Sequence, residues 1–107
     1  MTWQTEDDGK TTVITLLSHM ASGGDTETLM SLLEKCRKRN VVLDLKGFRI
    51  THAAVNAIMQ CHIERNGGPW IRLCKMSDEV RAQFNHLAVG GIVSVFGTRE
   101  EALGTSQ

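Results

Sequence analysis

The chain lacks most of the features that would mark a secreted, membrane-spanning or linker-rich protein. Its 107 residues contain one proline, and its ten glycines are not gathered into a repeat, which excludes a low-complexity or linker-dominated chain. Cysteine is sparse: Cys36, Cys61 and Cys74 are odd in number, widely spaced and form no C-x-x-C pair, so neither a disulfide framework nor a zinc knuckle is expected. There is no net charge, with twelve Lys and Arg against twelve Asp and Glu. A general attraction to nucleic acid or to an anionic membrane is therefore absent. No apolar run approaches the ~20 residues of a membrane span. The start of the chain, Met1 to Gly9, is acidic without an apolar stretch, so a secretory signal is not expected there and a reducing, cytoplasmic setting is.

Catalytic signatures are equally scarce. The sequence has no G-x-S-x-G elbow, P-loop, dinucleotide fingerprint or H-E-x-x-H pair, each of which carries a definite chemistry at a definite spacing. Cys61 and His62 are adjacent, but neighbours on a helix point about 100° apart, so they do not form a thiolate–imidazole pair. A metal site would have to gather His52, Cys61, His62 and Cys74 without any known ligand spacing. No metal and no cofactor is expected. The run Lys35-Cys36-Arg37-Lys38-Arg39 could track phosphates, but no aromatic residue interleaves it to stack bases. It reads as a solvated helix end, where cations are favoured by the helix dipole.

What is present is an ordinary globular composition, 41% hydrophobic and 22% charged, in one domain spanning 1–107 with a core of about 10–103. The hydrophobic period switches repeatedly. Thr11 to Leu17 is a β-branched strand behind the turn residues Asp7 to Lys10, with Trp3 and Thr5 pairing back as a first hairpin strand. A loop from Met20 to Gly24 leads to a helix capped by Asp25 or Thr26, with Leu29, Leu32, Leu33 and Cys36 on one face and the basic run in its last turn. Val41 to Leu45 reads as a strand buried on both faces. Thr51 caps a second helix with Ala54, Ala57, Ile58 and Cys61 inward, stopped by Asn66-Gly67-Gly68-Pro69. Trp70 to Cys74 is a strand, and Ser77 caps a third helix with Val80, Phe84 and Leu87 inward, broken at Gly90-Gly91. Ile92 to Phe96 is the last strand. Thr98-Arg99-Glu100-Glu101 is a capping box that opens a short helix carrying Ala102 and Leu103 inward. This alternation predicts an α/β domain with a mixed, largely parallel sheet of four to five strands and about four helices.

From Val41 onward these segments resemble the STAS domain, the sulfate-transporter and anti-sigma-factor-antagonist family. Val41 to Leu45 is similar to its central strand, and Phe48 to Val55 to its entry into the second helix. Asn66 to Cys74 is similar to its glycine turn and next strand, and Met76 to Arg81 and Val95 to Leu103 to its third-helix start and C-terminal signature. The first third agrees in pattern only. The resemblance implies a non-enzymatic cytoplasmic interaction module that binds a regulatory serine kinase or anti-sigma-like protein.

Many antagonists of this family carry Asp-Ser-Ser-Gly at the start of the second helix, and the second serine is phosphorylated. A gap-free match sets His52-Ala53-Ala54-Val55 there and puts Ala54, which has no hydroxyl, at the acceptor position. Thr51 is a weak alternative acceptor, its ordinary role being the helix cap. The expected contact patch is Thr51, His52, Ala53, Ala54 and Val55, with the loop Ser22-Gly23-Gly24 and the third-helix end Ala88-Val89-Gly90. Affinity is expected from packing and hydrogen bonds, the small residues allowing close backbone approach, and not from charge steering. Two alternatives remain: a subunit docking on an ABC-transporter ATPase, and a small thiol enzyme or redox protein using Cys61 or Cys74. No nucleic acid and no membrane insertion is expected, and the oligomeric state is left open, a weak homodimer included.

Overall fold

The computed structural model describes the backbone of residues 3–20, 23–86 and 94–104, and the side chains of 3–20, 24–82 and 95–104. Its elements run β1 (Trp3–Asp8), β2 (Thr11–Leu16), α1 (Gly23–Lys35), β3 (Asn40–Asp44), α2 (His52–Glu64), β4 (Ile71–Cys74), α3 (Asp78–His86), β5 (Ser94–Phe96) and α4 (Arg99–Gly104). The five strands form one sheet in the order β1-β2-β3-β4-β5. Only β1 and β2 are antiparallel, and the other neighbours are parallel.

The hairpin is the turn chemistry made visible. Asp8 faces Thr11 across a two-residue turn, and Gly9 takes φ +65, a conformation that costs glycine little. After Trp3, every residue of β1 is exposed, Glu6, Asp7 and Asp8 included. In β2 every position is buried.

Strand alternation divides the core between two faces. On one, Ile14, Leu43 and Leu73 pack against Leu29 and Leu33 of α1, Val55 and Ile58 of α2 and Val80 of α3. On the other, Val13, Val42 and Cys74 pack against Ala102 of α4. Each fully buried leucine or isoleucine contributes roughly 1.5–3 kcal/mol. On the α4 face, Arg72 stacks 3.7 Å above the Trp70 ring and donates to the Ala102 carbonyl.

Several local expectations shift. Gly23 and Gly24 lie within the first turn of α1, not in a loop, and the helix ends at Lys35, before the basic run is complete. Arg39 turns away from the helix end and holds the hairpin, donating to the Gly9 and Thr11 carbonyls and to the Thr12 hydroxyl. Thr98 caps α4 through the Glu101 N–H as expected, but the Glu101 carboxylate accepts from the Thr98 hydroxyl and not from its backbone. Ser77 caps α3 by accepting from the Val80 N–H. The side chain of Phe84, and Leu87, Gly90, Gly91, Ile92 and Val93, lie outside the described residues.

Candidate functional site: the N-terminal turn of the second helix

Thr51 is the N-cap of α2. Its backbone is extended (φ −76, ψ 158) and its side-chain oxygen accepts from the Ala54 N–H at 3.1 Å. The same hydroxyl meets the Thr26 hydroxyl of α1 at 2.9 Å. One threonine thus caps α2 and joins the beginnings of the two helices. Removing it costs the cap and strands Thr26, which is buried. Thr51→Ala is expected to destabilise by about 1–2 kcal/mol and Thr51→Ser to restore most of that, read from urea midpoints.

Helical geometry then sorts the four following residues. His52 and Ala53 are exposed, whereas Ala54 and Val55 are each 0% exposed within the main core. This corrects the expected patch: Ala54 and Val55 cannot touch a partner with their side chains. Of the five residues assigned to this turn, the exposed surface consists of His52 and Ala53, with Thr51 half-buried beside them. Gly24 is exposed at the start of α1. Ser22 and Ala88, Val89 and Gly90 lie outside the described residues.

The loops around this turn are tied together by main-chain bonds. The Met20 N–H donates to the Arg49 carbonyl, and the Arg49 N–H to His19 Nδ1. The His19 ring meets Phe48 edge-on at 5.1 Å. Gly47, at φ +75, donates to the Lys75 carbonyl at 2.7 Å, joining the loops after β3 and β4. Behind them Asp44, fully buried at the end of β3, accepts from the Lys46 N–H at 3.1 Å and lies 3.4 Å from Arg99. Arg99 also reaches Thr15 and Glu6.

The remaining candidates are dispersed. Cys61 and His62 sit near the far end of α2 and Cys74 at the end of β4, so these residues and His52 do not converge. Among the described residues no three His, Cys, Asp or Glu side chains group as metal ligands. Cys61 borders a cleft of about 190 Å³ between the ends of α1 and α2, rimmed by Glu34, Arg37, Lys38 and Glu64. Burial, and then the Glu64 charge, push its thiol above the ordinary value. Burial, and then Asp44, push Cys74 up to about 12. Both shifts favour the inert thiol over a nucleophilic thiolate.

Iodoacetamide at neutral pH is therefore expected to leave Cys36 and Cys74 unlabelled until urea unfolds the chain. The linkage has a definite sign. Because Cys74 holds its proton more tightly when folded, the unfolded chain ionises first. Its contribution to stability is complete below 9.0 and is lost as pH rises from there to about 12. Cys74→Ala is expected to flatten that alkaline fall.

Strand order bears on what kind of site this is. In doubly wound sheets, ligands settle in the crevice where the order reverses. Here it runs from β1 to β5 without reversal, and the α2 turn stands as an outward surface instead.

No protein-family profile and no curated protein matches the sequence. Solved structures do match. An anti-sigma-factor antagonist (STAS) domain protein from Planctomyces limnophilus superposes with a TM-score of 0.84 at 15% identity, covering 98% of each chain. The anti-sigma factor antagonist SpoIIAA in its unphosphorylated form gives 0.77 at 18% identity, over 97% of this chain and 95% of that one. SLC26A9 matches 95% of this chain with only 20% of its own length, at a TM-score of 0.73 and 15% identity. Over nearly its whole length, the chain has the fold of the STAS anti-sigma-factor-antagonist domains.

Proposed function

We propose that this chain is a non-enzymatic interaction domain of the antagonist type, which binds a regulatory kinase or anti-sigma-like protein through the N-terminal turn of α2 and does so without a phosphorylatable serine. The observation that carries the reading is the exposed, hydroxyl-free pair His52-Ala53 beside a threonine whose hydroxyl is already committed. SpoIIAA is also known in a phosphorylated form. A phosphoserine at a helix start would add roughly −1.5 to −2 charges, and nothing in 52–55 can carry one.

Burial also favours a different alignment with the family motif. An acceptor must be reachable, and Ala54 is not. Moving the motif back one residue sets it on Thr51-His52-Ala53-Ala54. Thr51 then takes the aspartate position, where both residue types cap helices well. Ala53, exposed, takes the acceptor position. Ala54, fully buried, takes the glycine position, where the smallest side chains fit.

The test is an affinity capture from the native host with three baits: wild type, Ala53→Glu, and Ile63→Glu. Ile63 is half exposed ten residues further along α2, about 15 Å away. A host protein held by wild type and Ile63→Glu but released by Ala53→Glu supports the reading. Its identity separates a kinase-like partner from a transporter ATPase. A catch that Ala53→Glu leaves unchanged overturns it, and a phosphate within 51–54 in the native protein's intact mass overturns the unmodified site.

A further inference from the structure

We propose that the loops beside α2 form a docking surface for an acidic protein segment that carries an apolar side chain. The proposal rests on the reading above and names the partner chemistry. Lys46 and Arg49 follow β3, Lys75 follows β4, and all three are exposed. The Gly47–Lys75 main-chain bond holds their loops together. Among the described residues, no carboxylate lies within ion-pair distance of any of them. Elsewhere in the chain Arg37, Arg39 and Arg99 each have an acidic partner. The one acid of the β3 end, Asp44, is buried and turned to Arg99.

Backbone conformation adds a second observation. Lys46 and Lys75 have φ +50 and +55, a left-handed conformation that is unfavourable for a side-chain-bearing residue. Glycine or asparagine would hold the same turns more cheaply. Two lysines placed against that preference, in adjacent loops, point to a use for their charge. Thr15 of β2 pairs in parallel with Asp44 of β3, so Leu17, 41% exposed, leaves the sheet at the same end as Lys46, and the half-buried Phe48 lies between Lys46 and Arg49 in sequence. A nucleic acid fits less well. Trp3 is buried and the Trp70 ring is covered by Arg72, which leaves neither tryptophan as a platform for bases. On this proposal charge contributes to recognition, beside the packing expected from the sequence.

The test is a titration of the isotope-labelled full chain, followed by amide shifts, with a peptide of alternating glutamate and leucine. A lysine–leucine peptide and a single-stranded DNA oligonucleotide serve as comparison probes. The acidic peptide is expected to shift Lys46 to Arg49 and Lys75 and to weaken with added salt. The variant Lys46→Asn/Arg49→Gln/Lys75→Asn keeps backbone-compatible residues at the two positive-φ sites. It is expected to bind the acidic peptide about tenfold more weakly. Absence of shifts, shifts centred on Lys10, Lys35 and Lys38, equal binding of the lysine peptide, or equal binding of DNA each overturns the proposal. The capture experiment separates the two readings. A catch lost with Ala53→Glu but kept by the triple variant leaves the helix-turn interface standing without the acidic partner. The opposite result leaves the basic surface standing without the turn.

Discussion

Ala54→Asp is expected to destabilise the fold by about 3–5 kcal/mol, the cost of an uncompensated charge in a buried site, while Ala53→Asp is expected to be neutral or to stabilise by about 0.3–1 kcal/mol. The two residues are neighbours with the same side chain. Ala54 is 0% exposed and packed among Val55 and Ile58. Ala53 faces solvent, where a carboxylate gains from the positive end of the helix. Urea melts of both variants, compared at equal m-value, measure the difference. Comparable stability of the two would place both side chains in solvent and restore the gap-free alignment. The contrast also governs bait design, because a catch lost with a charge at Ala54 would report a weakened fold and not a lost contact.

Arg65→Ala is expected to cost about 2–4 kcal/mol, although no acid pairs with this arginine among the described residues. Its guanidinium donates to three carbonyls: Cys36 just beyond α1 at 2.9 Å, Arg39 before β3 at 2.6 Å and Pro69 before β4 at 3.1 Å. Arg65 is itself the C-cap of α2. One side chain therefore fixes where two helices stop and where two parallel strands begin. Hydrogen bonds to charged groups are worth roughly 1.5–3 kcal/mol each when removed from a protein, less where water can replace them. Arg65→Lys is expected to recover less than half of the loss, because an ammonium cannot span three acceptors with a planar fork. Full recovery by lysine would show that only the positive charge matters.

The order of elements was legible because hydrophobic period is a local signal. The β-branched run of β2, the apolar run of β3 and the caps Thr51 and Ser77 each announce an element without help from the rest of the chain. The site was harder. In the sequence Ala54 fits both the inward stripe with Ala57 and Ile58 and the family's contact patch, and its 0% exposure assigns the side chain to the stripe. The helix period alone marks the position as inward, since Ala54 shares its stripe with Ala57 and Ile58.

The contacts of Arg65, Arg99 and the Thr26–Thr51 pair leave no sequence signal, because they depend on how distant segments meet. Asp44 did leave a trace: a lone acid inside Val41-Val42-Leu43-Asp44-Leu45 is a buried charge in need of a cation. The basic run departs from a simple solvated helix end for a related reason. Its cations are not equivalent, since Arg39 belongs to the hairpin and Arg37 to Glu34. The exposed cations that adjoin the candidate site come from two separate loops.

The acidic face of β1 has a consequence for how copies of this protein meet. A sheet whose first strand is an open edge can add another strand, and a second copy supplies one ready-made. Pairing edge to edge would bring Glu6, Asp7 and Asp8 against their own counterparts, all of them solvent-facing. With a formal charge of zero, the molecule as a whole offers no long-range repulsion to keep copies apart in crowded solution. Protection against fibril growth then falls to three carboxylates on one strand, of which Glu6 and Asp7 are each partly balanced by an arginine. Neutralising them, by mild acid or by amide substitution, is expected to make this edge prone to strand addition before the fold itself is lost.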